Sequence, residues 1–187
     1  DLLKELNGGL IALSACLQGE VSQALNYGNY ERAKLAVEQY ASIFGDRYYI
    51  EVQDNKLAEQ EKVNRLLVEL AKETSIPVVA TNDCHYGERD DFHAHDVLLC
   101  VQTGKTVNEE NRLKLDTDEL YLKSADEMAA LFPDHPEALR TTVEIAEMCE
   151  FKLEGVSNLP AFDVPPGFTI ESYFEKVSRD GFEERWK

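Results

Sequence analysis

Three residues whose side chains can bind metal ions follow two short apolar stretches. Cys16 comes directly after "LIALSA", and Asp83 and His85 follow "IPVVATN". Side chains alternate along an extended chain, so Asp83 and His85 are expected to face one way and Cys84 the other if the strand continues past Thr81. Carboxylate oxygen and imidazole nitrogen together suit zinc, manganese or iron. The spacing permits a metal site, although it is also common in proteins without one.

Two further titratable residues lie near these stretches. Glu51 stands inside the strand-like "YYIEV", where an acid needs a partner or water. The Glu51 side chain either contacts a metal ligand and orients it without binding the metal, or it faces solvent. His93 and His95 are two residues apart in a predicted helix and so do not share a face. Only one of them can reach the strand ends, and His95 is taken as a second residue that could orient a ligand.

The elements that would position these residues form a repeating pattern. Apolar and β-branched runs predict three strands, and amphipathic runs that end at Gly45 and Thr74 predict the helices between them. This alternation predicts an α/β fold with a parallel sheet or barrel. In such folds, functional groups gather where the strands end and the loops begin. The predicted strands are 10–16, 47–54 and 76–81.

The pattern changes after Tyr86. The sequence predicts a helix over 89–104 that ends at Gly104, then a loop and short strand within 111–124. Ser124 is predicted to cap the next helix, and Pro136 lies near the first turn of another, beside His135 at its solvated start.

Composition restricts the function classes. The 187 residues carry a net charge of -17, which disfavours this chain as the main surface for a DNA backbone. The four cysteines form no C-x-x-C pair, which argues against a disulfide framework or zinc knuckle, and Cys84 and Cys100 are interpreted as small core residues. No apolar run reaches membrane-spanning length and no signal peptide is evident, so a cytoplasmic protein without a membrane partner is expected. Walker and G-x-S-x-G motifs are absent from the sequence.

A proline-rich stretch gives the clearest predicted boundary. Residues 159–168 hold three prolines and a glycine and are predicted to be a linker. Residues 1–158 would form one domain, and a new amphipathic helix would begin at Thr169. Because the sequence opens without Met, we expect it to be a piece of a longer protein.

Several long motifs carry a family resemblance. "GLIALSACLQGEV", "FGDRYYIEVQD", "PVVATNDCHY", "AHDVLLCVQTGK", "YLKSADEMAALFPDHPEAL" and "TTVEIAEMCEFKL" occur in this order. Together they resemble the alpha subunits of bacterial DNA polymerase III, in the later part of the PHP (polymerase and histidinol phosphatase) domain. The segment 169–187 resembles the start of the polymerase module.

The resemblance implies a fold, a site and an activity. It implies part of a distorted βα barrel with a cluster of divalent ions, zinc or manganese, at its carboxyl-terminal rim. Cys16, Asp83 and His85 match the family's later ligands, while earlier H-x-H and acidic ligands would lie before Asp1. The implied chemistry is metal-assisted hydrolysis at a DNA 3′ end, of the 3′–5′ exonuclease type. The chain alone is expected to be inactive.

The resemblance also implies partners and alternatives. The full-length protein would be a DNA-directed DNA polymerase that uses magnesium at catalytic residues outside this chain. It would work with a proofreading exonuclease subunit and a sliding clamp, and contact DNA mainly through other regions. The PHP domain could instead be a non-catalytic scaffold that docks the proofreading subunit. A free-standing PHP phosphatase is a third interpretation, which the polymerase-like motifs disfavour.

Overall fold

The core of the fold is a sheet of three parallel strands, and their order in the sheet is the same as their order along the chain. The structure is a computed structural model that describes residues 2–153, 155, 160 and 162–186. The strands are β1 (Ala12–Leu13), β2 (Tyr48–Gln53) and β3 (Val78–Thr81). β2 lies in the middle and pairs in parallel with both neighbours, with Tyr49 opposite Leu13 and Gln53 opposite Thr81. The predicted α/β class with parallel strands is therefore confirmed.

Helices fill the connections between the strands and follow the sheet. Those of the first part are α1 (Leu2–Leu6), α2 (Glu20–Asn26), α3 (Tyr30–Phe44) and α4 (Ala58–Thr74). After β3 come α5 (Phe92–Thr103), α6 (Ala125–Leu131) and α7 (Pro136–Met148), and the last helix is α8 (Ile170–Trp186). None of the helices in the described ranges is long and apolar enough to cross a membrane.

One face of the sheet makes the hydrophobic core. Alternation along β2 places Tyr48, Ile50 and Val52 on the same side, and each is at least 98% buried. They join a cluster with residues of α2, α3 and α4, of which Val37 and Leu70 are fully buried. The other side of β2 carries Tyr49, Glu51 and Gln53, so polar groups are left for the opposite face at the carboxyl end of the strand.

Two helices end at glycine residues, as the sequence predicts. α3 ends at Gly45 with φ 61° and ψ -127°, a conformation open in practice only to glycine. α5 ends at Gly104 with φ 65° and ψ 34°, the left-handed cap that glycine makes without strain. Ser124 caps α6 as predicted, because its hydroxyl accepts a hydrogen bond from Glu127 N.

The segment between α5 and α6 differs from its prediction. Within the described residues of 111–124 no strand forms, and a single parallel bridge joins Tyr121 to Tyr86. α7 packs along β3 at the edge of the sheet away from β1.

The chain divides into two compact units, residues 1–149 and 150–187. In the second unit α8 has no buried residue, and Ile170, Phe174 and Val177 are exposed along it. Thr169 stands at its start, where its hydroxyl accepts a hydrogen bond from Ser172 N at 3.2 Å. The predicted linker 159–168 includes residues 159 and 161, which lie outside the described residues, so the predicted domain boundaries stay predictions.

Candidate metal site at the carboxyl ends of the strands

Asp83 and His85 come together after β3, although the local backbone differs from the prediction. Asp83 Oδ1 lies 3.4 Å from His85 Nε2, and about a third of each side chain is exposed. The strand ends at Thr81, so the condition on which the alternation of Asp83, Cys84 and His85 depended, an extended chain past Thr81, is not met. Cys84 N instead donates to Asn82 O at 2.9 Å, and the chain turns out of the sheet.

Distant residues cause this turn. His85 N donates to Leu120 O at 2.8 Å, and Lys123 N donates to the side-chain oxygen of Asn82 at 2.8 Å. The segment after β3 thus pairs with the segment before α6 rather than with the sheet. The turn leaves Cys84 exposed, so its interpretation as a core residue is wrong, whereas Cys100 is buried as expected.

The Cys84 thiol itself is partly sheltered. Although the residue as a whole is exposed, desolvation raises the pKa of the Cys84 thiol, and the nearby ammonium of Lys123 only partly offsets that effect.

Cys16 lies in a tight loop directly after β1. Ser14 N donates to Tyr49 O at 3.0 Å and the Ser14 hydroxyl accepts from Glu51 N at 2.9 Å, so β2 holds the loop from two sides. Ala15 has φ 66°, which a residue with a side chain seldom adopts. Cys16 O then accepts from Gly19 N at 2.8 Å. The predicted strand 10–16 is therefore too long, because β1 ends at Leu13, and the half-buried Cys16 is held in the loop that follows it.

The half-buried Glu51 interacts with neighbouring strand ends. Its carboxylate accepts hydrogen bonds from the hydroxyl of Thr81 and from Gln53 Nε2, the latter at 3.1 Å. Gln53 Nε2 also donates to Thr81 Oγ1 at 3.1 Å. Glu51, Gln53 and Thr81 thus form a polar layer across β2 and β3, just before the chain reaches Asp83.

His95 reaches the Asp83–His85 pair from α5. Its ring meets the His85 ring edge-on, with centroids 5.7 Å apart, and lies 5.4 Å from the Tyr86 ring. Its Nδ1 is buried and has no hydrogen-bond partner among the described residues. His93 is exposed, in agreement with the prediction that only one of the two histidines reaches the strand ends.

The candidate ligands do not make a complete metal site within this chain. Across 2–153, 155, 160 and 162–186, the structure gathers no three His, Cys, Asp or Glu side chains that could hold a metal ion. Asp83 and His85 are chemically suited to a divalent ion and stand close enough to share one. Cys16 does not join them as a third ligand. The site residues present fit at most part of a metal centre.

Sequence reasoning missed a charged network beside the pair. Arg89 Nη2 donates to Glu119 Oε1 at 2.5 Å, and Lys123 Nζ lies 4.3 Å from the centre of the Tyr121 ring and 3.4 Å from Glu119 Oε2. The Lys123 side chain is almost wholly buried. Glu119, Tyr121 and Lys123 belong to one short segment, and Arg89 reaches Glu119 from about 30 residues earlier, a contact that no spacing in the sequence reveals.

The segment that contains Tyr121 is attached to α6 by hydrogen bonds. Tyr121 donates through its hydroxyl to Glu127 Oε1 at 2.7 Å. Glu127 Oε2 accepts from Ser124 N at 2.8 Å and from the Ser124 hydroxyl at 2.7 Å. These hydrogen bonds, the one from the Ser124 backbone first, lower the pKa of Glu127 to about 2. The turn that presents Asp83 and His85 is thus tied to α6 through residues 120–127.

Comparison with known proteins shows where similar sequences occur. The family model for the PHP domain matches residues 1–55. Over 100% of its length the chain is 42% identical to DNA polymerase III subunit alpha of Treponema pallidum (strain Nichols), of which it covers 16%. It is 41% identical to the protein of that name from Pseudomonas fluorescens, over 99% of the chain and 16% of that protein. It is 38% identical to the protein of that name from Thermus aquaticus, over 100% of the chain and 16% of that protein.

These matches confirm the resemblance that the motifs carry. The similarity extends through both compact units, not only through the part that matches the PHP domain. The chain spans about 16% of the length of these curated relatives.

Proposed function

We propose that this chain is a section of the catalytic alpha subunit of a bacterial replicative DNA polymerase, comprising later PHP-domain residues and the start of the polymerase module. The observation that carries this proposal is the similarity to DNA polymerase III alpha subunits over the whole chain. The full-length protein would be a DNA-directed DNA polymerase, with its magnesium-dependent nucleotidyl transfer at residues outside this chain. Its partners would be other replicase subunits, namely a proofreading exonuclease and a sliding clamp.

We further propose that the strand ends contribute to a metal-dependent phosphoesterase site of the 3′–5′ exonuclease type. Asp83 and His85, whose Oδ1 and Nε2 atoms lie 3.4 Å apart, would hold one divalent ion, zinc or manganese. Cys16, at the end of β1, would supply a softer ligand at the same rim. The remaining ligands would come from the rest of the longer protein, since the described residues hold no group of three.

The roles of the chain's own residues follow from their contacts. A bound divalent ion would lower the pKa of a water molecule and polarise a phosphate. Asp83 would bind as a carboxylate beside His85, with Asp83 Oδ1 and His85 Nε2 3.4 Å apart so that both atoms could contact one ion. His95 would limit the rotation of the His85 ring by its edge-on contact. Glu51 would hold the end of β3 through Thr81, which lies two residues before Asp83.

A non-catalytic scaffold is the second candidate function. The incomplete ligand group within the described residues favours it, and so does a net charge of -17, which repels DNA phosphates. In this case the PHP domain would dock the proofreading exonuclease subunit and support the polymerase fold.

One set of variants of the full-length protein separates these functions. Asp83→Ala and His85→Ala would be compared with Asp90→Ala and His93→Ala, which remove the same groups from exposed nearby positions. The measurements are bound metal, hydrolysis of single-stranded DNA labelled at the 3′ end, polymerase activity and thermal unfolding.

The outcomes differ for each function. Loss of metal and hydrolysis in the first pair alone, with unchanged polymerase activity and unfolding temperature, supports the phosphoesterase. Loss of folding without any hydrolysis in the unaltered protein supports the scaffold. Unchanged metal content and hydrolysis in Asp83→Ala and His85→Ala would rule out this pair as ligands.

A further inference from the structure

A small polar cavity lies between the loop after β1, the end of β2 and α4. It offers about 10 Å³, which is enough for one water molecule and little more. Its lining includes the polar side chains of Cys16, Glu51, Gln53 and Asn64. A cavity of this size with several polar groups is the kind of place in which proteins hold an ordered water.

One of the lining residues has an unmet hydrogen-bonding requirement. Gln53 is 94% buried, and its Oε1 has no hydrogen-bond partner among the described residues. A buried carbonyl oxygen of this kind requires a donor.

The orientation of the Gln53 amide is fixed by its other end. Nε2 donates at 3.1 Å both to Glu51 Oε1 and to Thr81 Oγ1. The Thr81 hydroxyl donates its one hydrogen to Glu51, so it can only accept a hydrogen bond from Gln53. Turning the amide over would place Oε1 against the Glu51 carboxylate oxygen, which is also an acceptor. The unpartnered oxygen therefore cannot exchange places with Nε2.

We infer that one ordered water molecule occupies this cavity, donates a hydrogen bond to Gln53 Oε1 and makes a second hydrogen bond to the sulfur of Cys16. Water supplies the missing donor, and the volume of the cavity matches one water molecule. Cys16 and Gln53 both line the same space, so a single molecule can bridge them.

The water makes Gln53 a positioning residue for Cys16. Ser14 and Ala15 already fix the backbone on the N-terminal side of Cys16, but these contacts do not involve its side chain. The bridge would restrict that rotation and hold the sulfur toward β2. This consequence for metal binding rests on the proposed function, whereas the water site itself does not.

The first test is a crystal structure of the full-length protein, prepared without added metal, at a resolution that shows ordered water. We expect a water peak within hydrogen-bonding distance of both Gln53 Oε1 and Cys16 Sγ. An empty cavity, or a Cys16 side chain turned away from it, would overturn the inference. This test needs no variant, so it does not depend on the folding of an altered protein.

The second test measures the reactivity of the thiol. Gln53→Met removes the acceptor together with the hydrogen bonds that Nε2 donates to Glu51 and Thr81, and Gln18→Met makes the same change at an exposed position near Cys16. With iodoacetamide and mass spectrometry, we expect alkylation of Cys16 to become roughly three- to tenfold faster in Gln53→Met only, the effect of one lost hydrogen bond. Alkylation of the exposed Cys84 and Cys149 reports any general loosening of the fold.

The outcomes are separable from those of the proposed function. An unchanged Cys16 rate in a folded Gln53→Met variant would overturn the positioning role. Neither measurement reads DNA hydrolysis or bound metal, so the water site can hold where the phosphoesterase proposal fails, and the reverse.

Discussion

Arg112 and Asp96 form a bidentate ion pair that ties the irregular segment after α5 back to that helix. Arg112 Nη1 donates to Asp96 Oδ1 at 2.6 Å, and Nη2 donates to Oδ2 at 2.8 Å. The side chains are only 7% and 12% exposed. The hydrogen bonds from Arg112 lower the pKa of the Asp96 carboxyl. The same helix carries His95, so the ion pair helps to place a residue of the candidate site.

Breaking one side of this pair should destabilise the protein more than replacing both sides. Arg112→Met leaves the Asp96 carboxylate sheltered from water without its partner, whereas Arg112→Met with Asp96→Leu removes both charges. We expect the single variant to unfold at a lower temperature than the double variant. Arg112→Lys serves as the control, because it keeps the positive charge but cannot make the bidentate pair of hydrogen bonds to Asp96. Equal unfolding temperatures for the single and double variants would show that the pair is not coupled.

The loop that holds Cys16 should not tolerate a side chain at Gly19. A Cβ atom there would lie 2.4 Å from Ser14 O and 3.1 Å from Cys16 O, so the backbone has to move. We expect Gly19→Ala to lower the free energy of unfolding by about 1–3 kcal/mol. Gly8→Ala is the matched control, since nothing lies within 4 Å of the added atom. Denaturant unfolding compares the two, and equal values would mean that the loop adapts without cost.

The core between the sheet and α4 should be sensitive to shortening of Leu70. Leu70 is fully buried, and Leu70→Ala removes packed methyl groups and leaves a cavity. We expect a loss of about 2–5 kcal/mol in the free energy of unfolding. Leu35→Ala makes the same change on α3 at a residue that is 65% exposed, and it should cost less than about 0.5 kcal/mol. A similar loss in both variants would contradict the position of the core.

Acid should weaken the attachment of α6 over a defined pH range. The pKa of Glu127 is lowered to about 2 because its carboxylate accepts hydrogen bonds from Ser124 and Tyr121. A carboxyl whose pKa is lower in the folded state adds stability that is complete above the ordinary value of about 4.3 and is lost as the pH falls toward 2.

Glu127→Gln tests this contribution. The variant should be less stable than the unaltered protein at pH 7, and the difference should shrink steadily between about pH 4.3 and 2. Glu144→Gln, at an exposed position on α7, is the control and should show no such convergence. Thermal unfolding followed by circular dichroism at several pH values gives both curves, and a difference that stays constant with pH would exclude this role for Glu127.

Sequence reasoning found the elements whose signals are local. The periodicity around Val63 and Leu67 located α4, and the residue types at Ser124 and Gly104 located a helix start and a helix end. It also placed Cys16 near the end of a strand, but it extended that strand to residue 16, whereas β1 ends at Leu13.

The conformation after β3 could not be found in this way. The turn at Asn82 depends on Leu120 and Lys123, which approach only in the folded chain. The bidentate contact of Arg112 with Asp96 and the left-handed Ala15 also leave no local signal. Residue types indicated which groups could bind a metal, but tertiary contacts decide how they are presented.

The order of the sheet has a consequence for biosynthesis. Each parallel strand pairs with the one synthesised just before it, so the nascent chain can extend the sheet as it leaves the ribosome. The presentation of Asp83 and His85 has to wait, because it requires residues 120–123, which are translated later. The sheet therefore requires only residues up to Thr81, whereas the strand-end site also requires a segment that is synthesised about 40 residues later.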